Sequence, residues 1–153
     1  QEIVVHTSPA SYRLTGRIVR PRDITSAQFG GRFGVALRLI KGANTFKEYT
    51  EVSLADSEVM ELEAKTRMVV DEGLEKIPGT DHPARVIIRS AGGKVYEETV
   101  LAPRGSVLNP MPREEVHEKF REYASVLLPP ERIEVGFGPG PHGGLRMVVR
   151  ASF

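Results

Sequence analysis

Two β-rich runs, Ala84 to Ser90 and Lys94 to Leu101, are separated only by Ala91-Gly92-Gly93. Glycine reaches the backbone conformations that a tight reversal needs, and the flanking β-branched residues suit pleated strands. The spacing therefore predicts a β-hairpin. A hairpin buries little by itself, so the helical segments elsewhere in the chain are expected to cover it as one layer of an α+β fold.

The remaining elements follow from periodicity and punctuation. Residues 2 to 7 form a strand, and Ser8-Pro9-Ala10-Ser11 supplies a turn or the start of a short helix ending near Gly16. From Ile24 the apolar residues Ala27, Phe33, Ala36, Leu37 and Ile40 recur at helical spacing, with Gly42 at the C-cap position. That predicts one central helix. Ser53 or Asp56 caps a second, in which Val59, Met60 and Leu62 form the apolar stripe and Glu58, Glu61, Glu63 and Lys65 the solvated face. Met68-Val69-Val70 form a short buried strand. After the hairpin, Pro103 to Pro112 is a loop, and Arg113 opens an amphipathic helix carrying Val116, Phe120, Tyr123, Ala124 and Leu127 on one stripe. Pro129-Pro130 ends it. The order predicts a two-layer α+β sandwich, a small sheet with a hairpin covered by helices.

The texture changes beyond Val135. From Gly136 to Gly144 every residue except Phe137 and His142 is Gly or Pro, and Leu145 to Arg150 then reads as a strand. The segment is either a flexible linker feeding a terminal strand or a non-native reading frame. The division is 1–135 for the main domain and 136–153 for an atypical tail. Gln1 stands where a start methionine would, and a strand begins almost at once, so the chain is expected to be cut from a longer protein.

Several function classes are excluded early. The chain has 21 Lys plus Arg against 20 Asp plus Glu, too balanced to announce a polyanion partner, so no nucleic acid is expected. No window approaches the roughly 18 apolar residues of a membrane span, and no targeting segment opens the chain. No membrane association is expected, and cytoplasmic placement suits the absence of cysteine, which also removes disulfides, thiolate metal sites and a cysteine nucleophile. His6, His82, His117 and His142 have no metal-ligand spacing. The carboxylates Glu114, Glu115 and Glu118 favour their helix N-terminus and solvent. Gly136-Phe137-Gly138-Pro139-Gly140 lacks both the amide donors and the Lys-Ser/Thr ending of a phosphate loop.

The arginines 13, 17, 20, 22, 32 and 38 are either a solvated surface or a face for one anionic ligand. Gly30 and Gly31 interrupt a helical pattern, each at a cost of about 1 kcal/mol relative to alanine. They mark either a close backbone approach to a ligand or neighbouring domain, or a simple kink or a helix that starts later.

The segment Ala27-Gln28-Phe29-Gly30-Gly31-Arg32-Phe33-Gly34-Val35-Ala36 resembles the "A-x-F-S-x-x-Y-x-x-A" lid helix of the MmgE/PrpD family, which includes 2-methylcitrate dehydratases and cis-aconitate decarboxylases. Further blocks agree in order and spacing. Leu54-Ala55-Asp56-Ser57-Glu58-Val59 is similar to "L-x-D-P-x-V", and Met68-Val69-Val70-Asp71 to "V-x-V-x-x-D". Pro103 to Met111 resembles "P-K-G-x-x-x-N-P", and Glu115 to Phe120 the following "E-x-x-x-K-F" helix. The resemblance runs from about Ile3 to Ile133.

That resemblance implies the C-terminal α+β lid domain of a lyase whose catalytic His, Lys and Asp lie in a separate helical domain. The implied chemistry is proton abstraction beside a carboxylate of a di- or tricarboxylate, with loss of water or carbon dioxide, in a homodimer using no metal or organic cofactor. Gln28, Gly30, Arg32 and Phe33 are then expected on the face that meets the helical domain, with Arg32 pairing a substrate carboxylate, and an uncovered apolar patch is expected beside them. No catalytic residue is assigned to this chain, which is not expected to be active alone. Two positions depart from the family, since Gly30 and Phe33 replace Ser and Tyr, and Gly136 to Phe153 does not resemble the usual continuation. Two rivals stay open: a stand-alone module binding an anionic metabolite, and a subunit that completes an enzyme in trans with a separately encoded helical chain.

Overall fold

The computed structural model describes residues 2–129, 133–139 and 145–151. The chain divides into two compact units, Gln1–Leu108 and Asn109–Phe153.

The first unit is built on a four-stranded sheet. Strand β1 (Glu2–Thr7) is followed by a short helix α1 (Pro9–Ser11), capped by the Ser8 side chain and prolonged as a π turn over Tyr12–Gly16. Helices α2 (Ile24–Phe29) and α3 (Gly31–Lys41) come next, then α4 (Glu51–Leu54) and α5 (Ser57–Ala64). Strand β2 (Thr66–Val70), the single turn α6 (Glu72–Glu75) and the hairpin β3 (Ala84–Arg89) and β4 (Val95–Val100) complete it. The sheet order is β2-β1-β3-β4, with β1 parallel to β2 and antiparallel to β3. The predicted hairpin is present, with Ile88 opposite Tyr96 and Val86 opposite Glu98.

Strand register explains why the helices cover one face only. Ile3, Val5 and Thr7 alternate inward on β1, beside Thr66 and Met68 of β2 and Ile88 and Val86 of β3. Against them pack Phe33, Ala36 and Leu37 of α3 and Val59 and Leu62 of α5. Burying each of the larger side chains contributes about 1.5–3 kcal/mol. The opposite face is laced with charge: Glu2 pairs with Arg67 at 2.6 Å and Arg89 at 3.6 Å, and Arg85 with Asp71 at 3.0 Å and Glu97 at 3.8 Å. A charged outer face and an apolar inner one define the two-layer α+β architecture.

The structure revises two local expectations and decides between two caps. The central helix over 24–41 is two helices, because Gly30 adopts an extended conformation (φ −82°, ψ 98°) that ends α2 and caps α3. Of the readings left open, a helix that starts later is the one observed. Gly30 makes the break, while a Cβ on Gly31 would stand 3.0 Å from Met68 Cε and 3.2 Å from the Thr15 carbonyl, so glycine lets α3 seat closely where a larger residue would push its neighbours by a few tenths of an ångström. Asp56, rather than Ser53, caps α5, accepting from the Glu58 and Val59 amides, while Ser53 lies inside α4 under a Thr50 cap. Glu63, expected on the solvated face, is wholly buried, and its Oε1 accepts the Arg20 amide at 3.0 Å. That bond ties the connector after Gly16 to α5, where Arg20 turns through a positive φ of 50°.

The second unit contains helix α7 (Arg113–Ala124) and an antiparallel hairpin of β5 (Ile133–Pro139) and β6 (Leu145–Ala151). Helix α7 ends before the expected Pro129-Pro130, and Ser125–Leu127 continue as turns. Gly136 to Pro139, read above as linker or foreign frame, belong to β5 and pair in register with Leu145 to Val148. Gly140 to Gly144, including His142, lie outside the described residues. Among the described residues no helix is long and apolar enough to cross a membrane.

Candidate functional site

Helices α3 and α5 leave the β3 side of the sheet only partly covered, and a cleft of about 380 Å³ opens there. Its floor is Val86 and Ile88 of β3. One wall is the face of α3 carrying Gly31, Gly34, Val35 and Arg38, residues spaced by three and four and therefore aligned along one side of the helix. The other side of the same helix bears buried Phe33, Ala36 and Leu37, so α3 serves core and cleft at once.

The far wall comes from the loop after α3. Gly42 ends the helix in the left-handed region at φ 75°, with its amide donating to the Arg38 carbonyl at 3.0 Å. The chain then turns back, held by the Thr45 amide donating to Glu48 Oε2 at 2.6 Å, and delivers Asn44 and Tyr49 to the cleft. Tyr49 packs its ring on that of Phe33, with centroids 6.1 Å apart and planes tilted by 41°. Its hydroxyl lies where a Cβ on Gly34 would come within 3.1 Å. Glycine at position 34 thus admits the phenol. Partial burial holds the Tyr49 phenol above its ordinary value of 10.0, so it carries its proton throughout the neutral range.

Polar groups converge here on a mostly apolar lining: Thr15, Gln28, Asn44 and Tyr49 with one cation, Arg38, and no carboxylate. An anionic group of a small ligand would meet a guanidinium and hydrogen-bond donors without a competing acid, while its carbon skeleton would rest on Val86, Ile88 and Leu39. Gly30 has no side chain to cap α3, so no cap occupies the first-turn amides at the positive end of the helix beside the cleft.

Of the four residues singled out from sequence, Gln28 and Gly30 line this cleft and the other two do not. Phe33, expected on the exposed face, has no accessible surface and belongs to the core. Arg32 is half-buried on the flank of α3 outside the cleft lining, and its Nε is enclosed without a hydrogen-bond partner. From the arginine series only Arg38 enters the cleft. Thr15, Asn44 and Tyr49 were not singled out by spacing. The available signal was Gly34, a third glycine within the helical pattern, whose missing Cβ marks a side chain seated against the helix.

Another constellation has the residue types of a hydrolytic triad but not its geometry. Ser11 Oγ lies 3.0 Å from His82 Nδ1, and Asp81 Oδ1 3.7 Å from His82 Nε2. The imidazole and carboxylate are both open to solvent, and the carboxylate is too distant to orient the ring. Among the described residues no group of three or more His, Asp or Glu could hold a metal ion.

The first unit is thus a small α+β layer with a one-sided cleft, polar on its walls and with no carboxylate in its lining. Residues 1–135 match the MmgE/PrpD C-terminal domain, and the chain belongs to that family. It is similar to the cis-aconitate decarboxylase-like protein oryM of Aspergillus oryzae, with 28% identity over 115 residues. That match covers 75% of this chain but only 23% of the relative. The chain thus spans about a quarter of the length of the curated protein it matches.

Proposed function

We propose that this chain is the substrate-covering lid domain of a carbon–oxygen or carbon–carbon lyase acting on a di- or tricarboxylate. Its cleft would face the substrate, and the proton-transferring groups would come from a separate helical domain, within a homodimeric cytoplasmic parent. The observation that carries the reading is the cleft itself, in which Arg38 and several neutral hydrogen-bonding groups stand over an apolar floor with no acid among them. Such a lining neutralises and orients a carboxylate but supplies no base of suitable pKa for abstracting a proton from carbon. Family membership and the relative's much greater length support a division of labour between domains. Gln28 and Gly30 would lie on the ligand side, with Arg32 and the buried Phe33 shaping α3 from flank and core.

The test compares the 153-residue chain alone with the same chain joined to, or mixed with, the helical domain of an MmgE/PrpD relative. We expect no turnover of cis-aconitate or 2-methylcitrate by the chain alone and measurable loss of substrate once the helical domain is present. In the complete enzyme Arg38→Gln should lower kcat/KM by roughly 10- to 100-fold, the cost of losing a charge-assisted bond. Turnover by the isolated chain, or an Arg38→Gln enzyme as fast as wild type, would overturn the proposal.

A second reading, a stand-alone module for an anionic metabolite, rests on the same cleft, in which one guanidinium stands over an apolar floor. It requires tight binding by the isolated domain, which the lid reading does not.

A further inference from the structure

Two aromatic rings pack together beside the cleft, and they are chemically unequal. Phe33 is fully enclosed and has no polar atom, whereas Tyr49 is half-buried, lines the cleft, and has no hydrogen-bond partner for its hydroxyl among the described residues. A partly desolvated donor left unpaired costs free energy, and a ligand oxygen placed against it recovers that cost. Gly34 shows that the position is constrained, because even a methyl group there would stand 3.1 Å from the hydroxyl oxygen and force it aside. On the same wall, one helical turn further along α3, Arg38 supplies the positive charge.

We infer that Tyr49 is the specificity-determining donor of this cleft: its phenol O–H hydrogen-bonds a second oxygen function of a small acid whose carboxylate pairs with Arg38, and Gly34 keeps the space for it. This rests on the cleft being the ligand-facing side of the domain. Retention of the phenolic proton to high pH makes Tyr49 a donor, not an anion that would repel the ligand. The ligand class follows from the lining. It is a short-chain acid bearing a further carboxylate or hydroxyl, with its carbon skeleton over Val86 and Ile88. A site built to hydrogen-bond an oxygen discriminates strongly against an analogue that lacks it.

The experiment is an NMR titration of the 153-residue chain with succinate and with butyrate, acids of equal length that differ in the second carboxylate. Wild type should bind succinate roughly tenfold more tightly, with amide shifts at residues 28–49 and 86–88. Tyr49→Phe keeps the ring packed on Phe33 and should lose roughly tenfold in succinate affinity while leaving butyrate unchanged. Gly34→Ala, which retains the hydroxyl but displaces it, should show the same selective loss. The ring-carbon signal bonded to the Tyr49 hydroxyl should titrate at still higher pH when succinate is bound, a response that a purely structural tyrosine would not give. Arg38→Gln should weaken both acids. If Arg38→Gln does so and Tyr49→Phe binds succinate like wild type, the inference about Tyr49 fails and the cleft stands. If neither acid perturbs the cleft of the wild-type chain, the inference about Tyr49 fails, while the lid reading, which does not need binding by the isolated domain, is decided by the turnover comparison above.

Discussion

Single positions on α3 divide their work by the direction in which they point. Phe33 stands where the family resemblance leads one to expect a tyrosine, yet its ring is enclosed by the core and Tyr49. Restoring the hydroxyl through Phe33→Tyr would therefore place a polar atom in an apolar enclosure. The variant is expected to lose about 1–3 kcal/mol of stability in urea unfolding, and full wild-type stability would show that the enclosure holds an acceptor. Burial at this scale was legible for Ala36 and Leu37, because helical periodicity places them on one side of α3, whereas Phe33 on that same side was expected at the ligand-facing surface. It was not legible for Glu63. A carboxylate at a helix position is ordinarily solvated, and the return of the Arg17–Arg22 connector across α5 gives this one a partner in the Arg20 amide. Tyr49 was hidden for a related reason: its place depends on a loop path, which no periodicity encodes.

Secondary-structure elements were easier to foresee where their ends are chemically marked. Asp56 precedes α5 and accepts from two amides of its first turn, and its other oxygen takes the Lys41 ammonium at 2.5 Å, joining the start of α5 to the end of α3. The Lys41 hydrogen bond foremost, and then the Glu58 amide, hold the Asp56 carboxyl below its ordinary value of 3.8. A folded-state pKa depressed below the unfolded value gives stability that is present in full above 3.8 and disappears as the pH falls through that value toward the lowered one. Asp56→Ala is thus expected to lower the melting temperature at pH 7 and to flatten the acid side of a melting-temperature profile. An unchanged acid limb would remove Asp56 from the account. The break between α2 and α3 was legible only as one alternative, because apolar spacing continues through Gly30 as though the helix did while the glycine pair argues against it. Backbone conformation at one glycine decided it, helped by the reciprocal cap between Asp23 and Ser26 that starts α2.

For the whole molecule, the sheet is the part left incomplete. The α+β class was legible because a hairpin and several amphipathic helices admit few ways to bury both, whereas the cleft was not, since it exists only where α3 stops short of β3. Beyond the cleft, β4 forms one edge of the sheet with all six residues exposed, Tyr96 at 56%. An open edge with Val95, Tyr96 and Val100 upon it is a template for pairing with another strand. Its centre argues against a second copy in that role. Antiparallel self-pairing about the middle of β4 sets Glu97 of each chain opposite Glu98 of the other, and like charges directly opposed across strands are destabilising. With Glu97→Thr and Glu98→Thr combined, that repulsion is removed and β propensity rises, so sedimentation velocity should show concentration-dependent association that wild-type β4 does not support. The double variant should also lose this association when Val95→Lys is added, because a charge on an edge strand blocks the approach of a neighbour. If the double variant sediments as wild type does at every concentration, the two glutamates do not guard this edge, and the exposure of β4 needs another explanation.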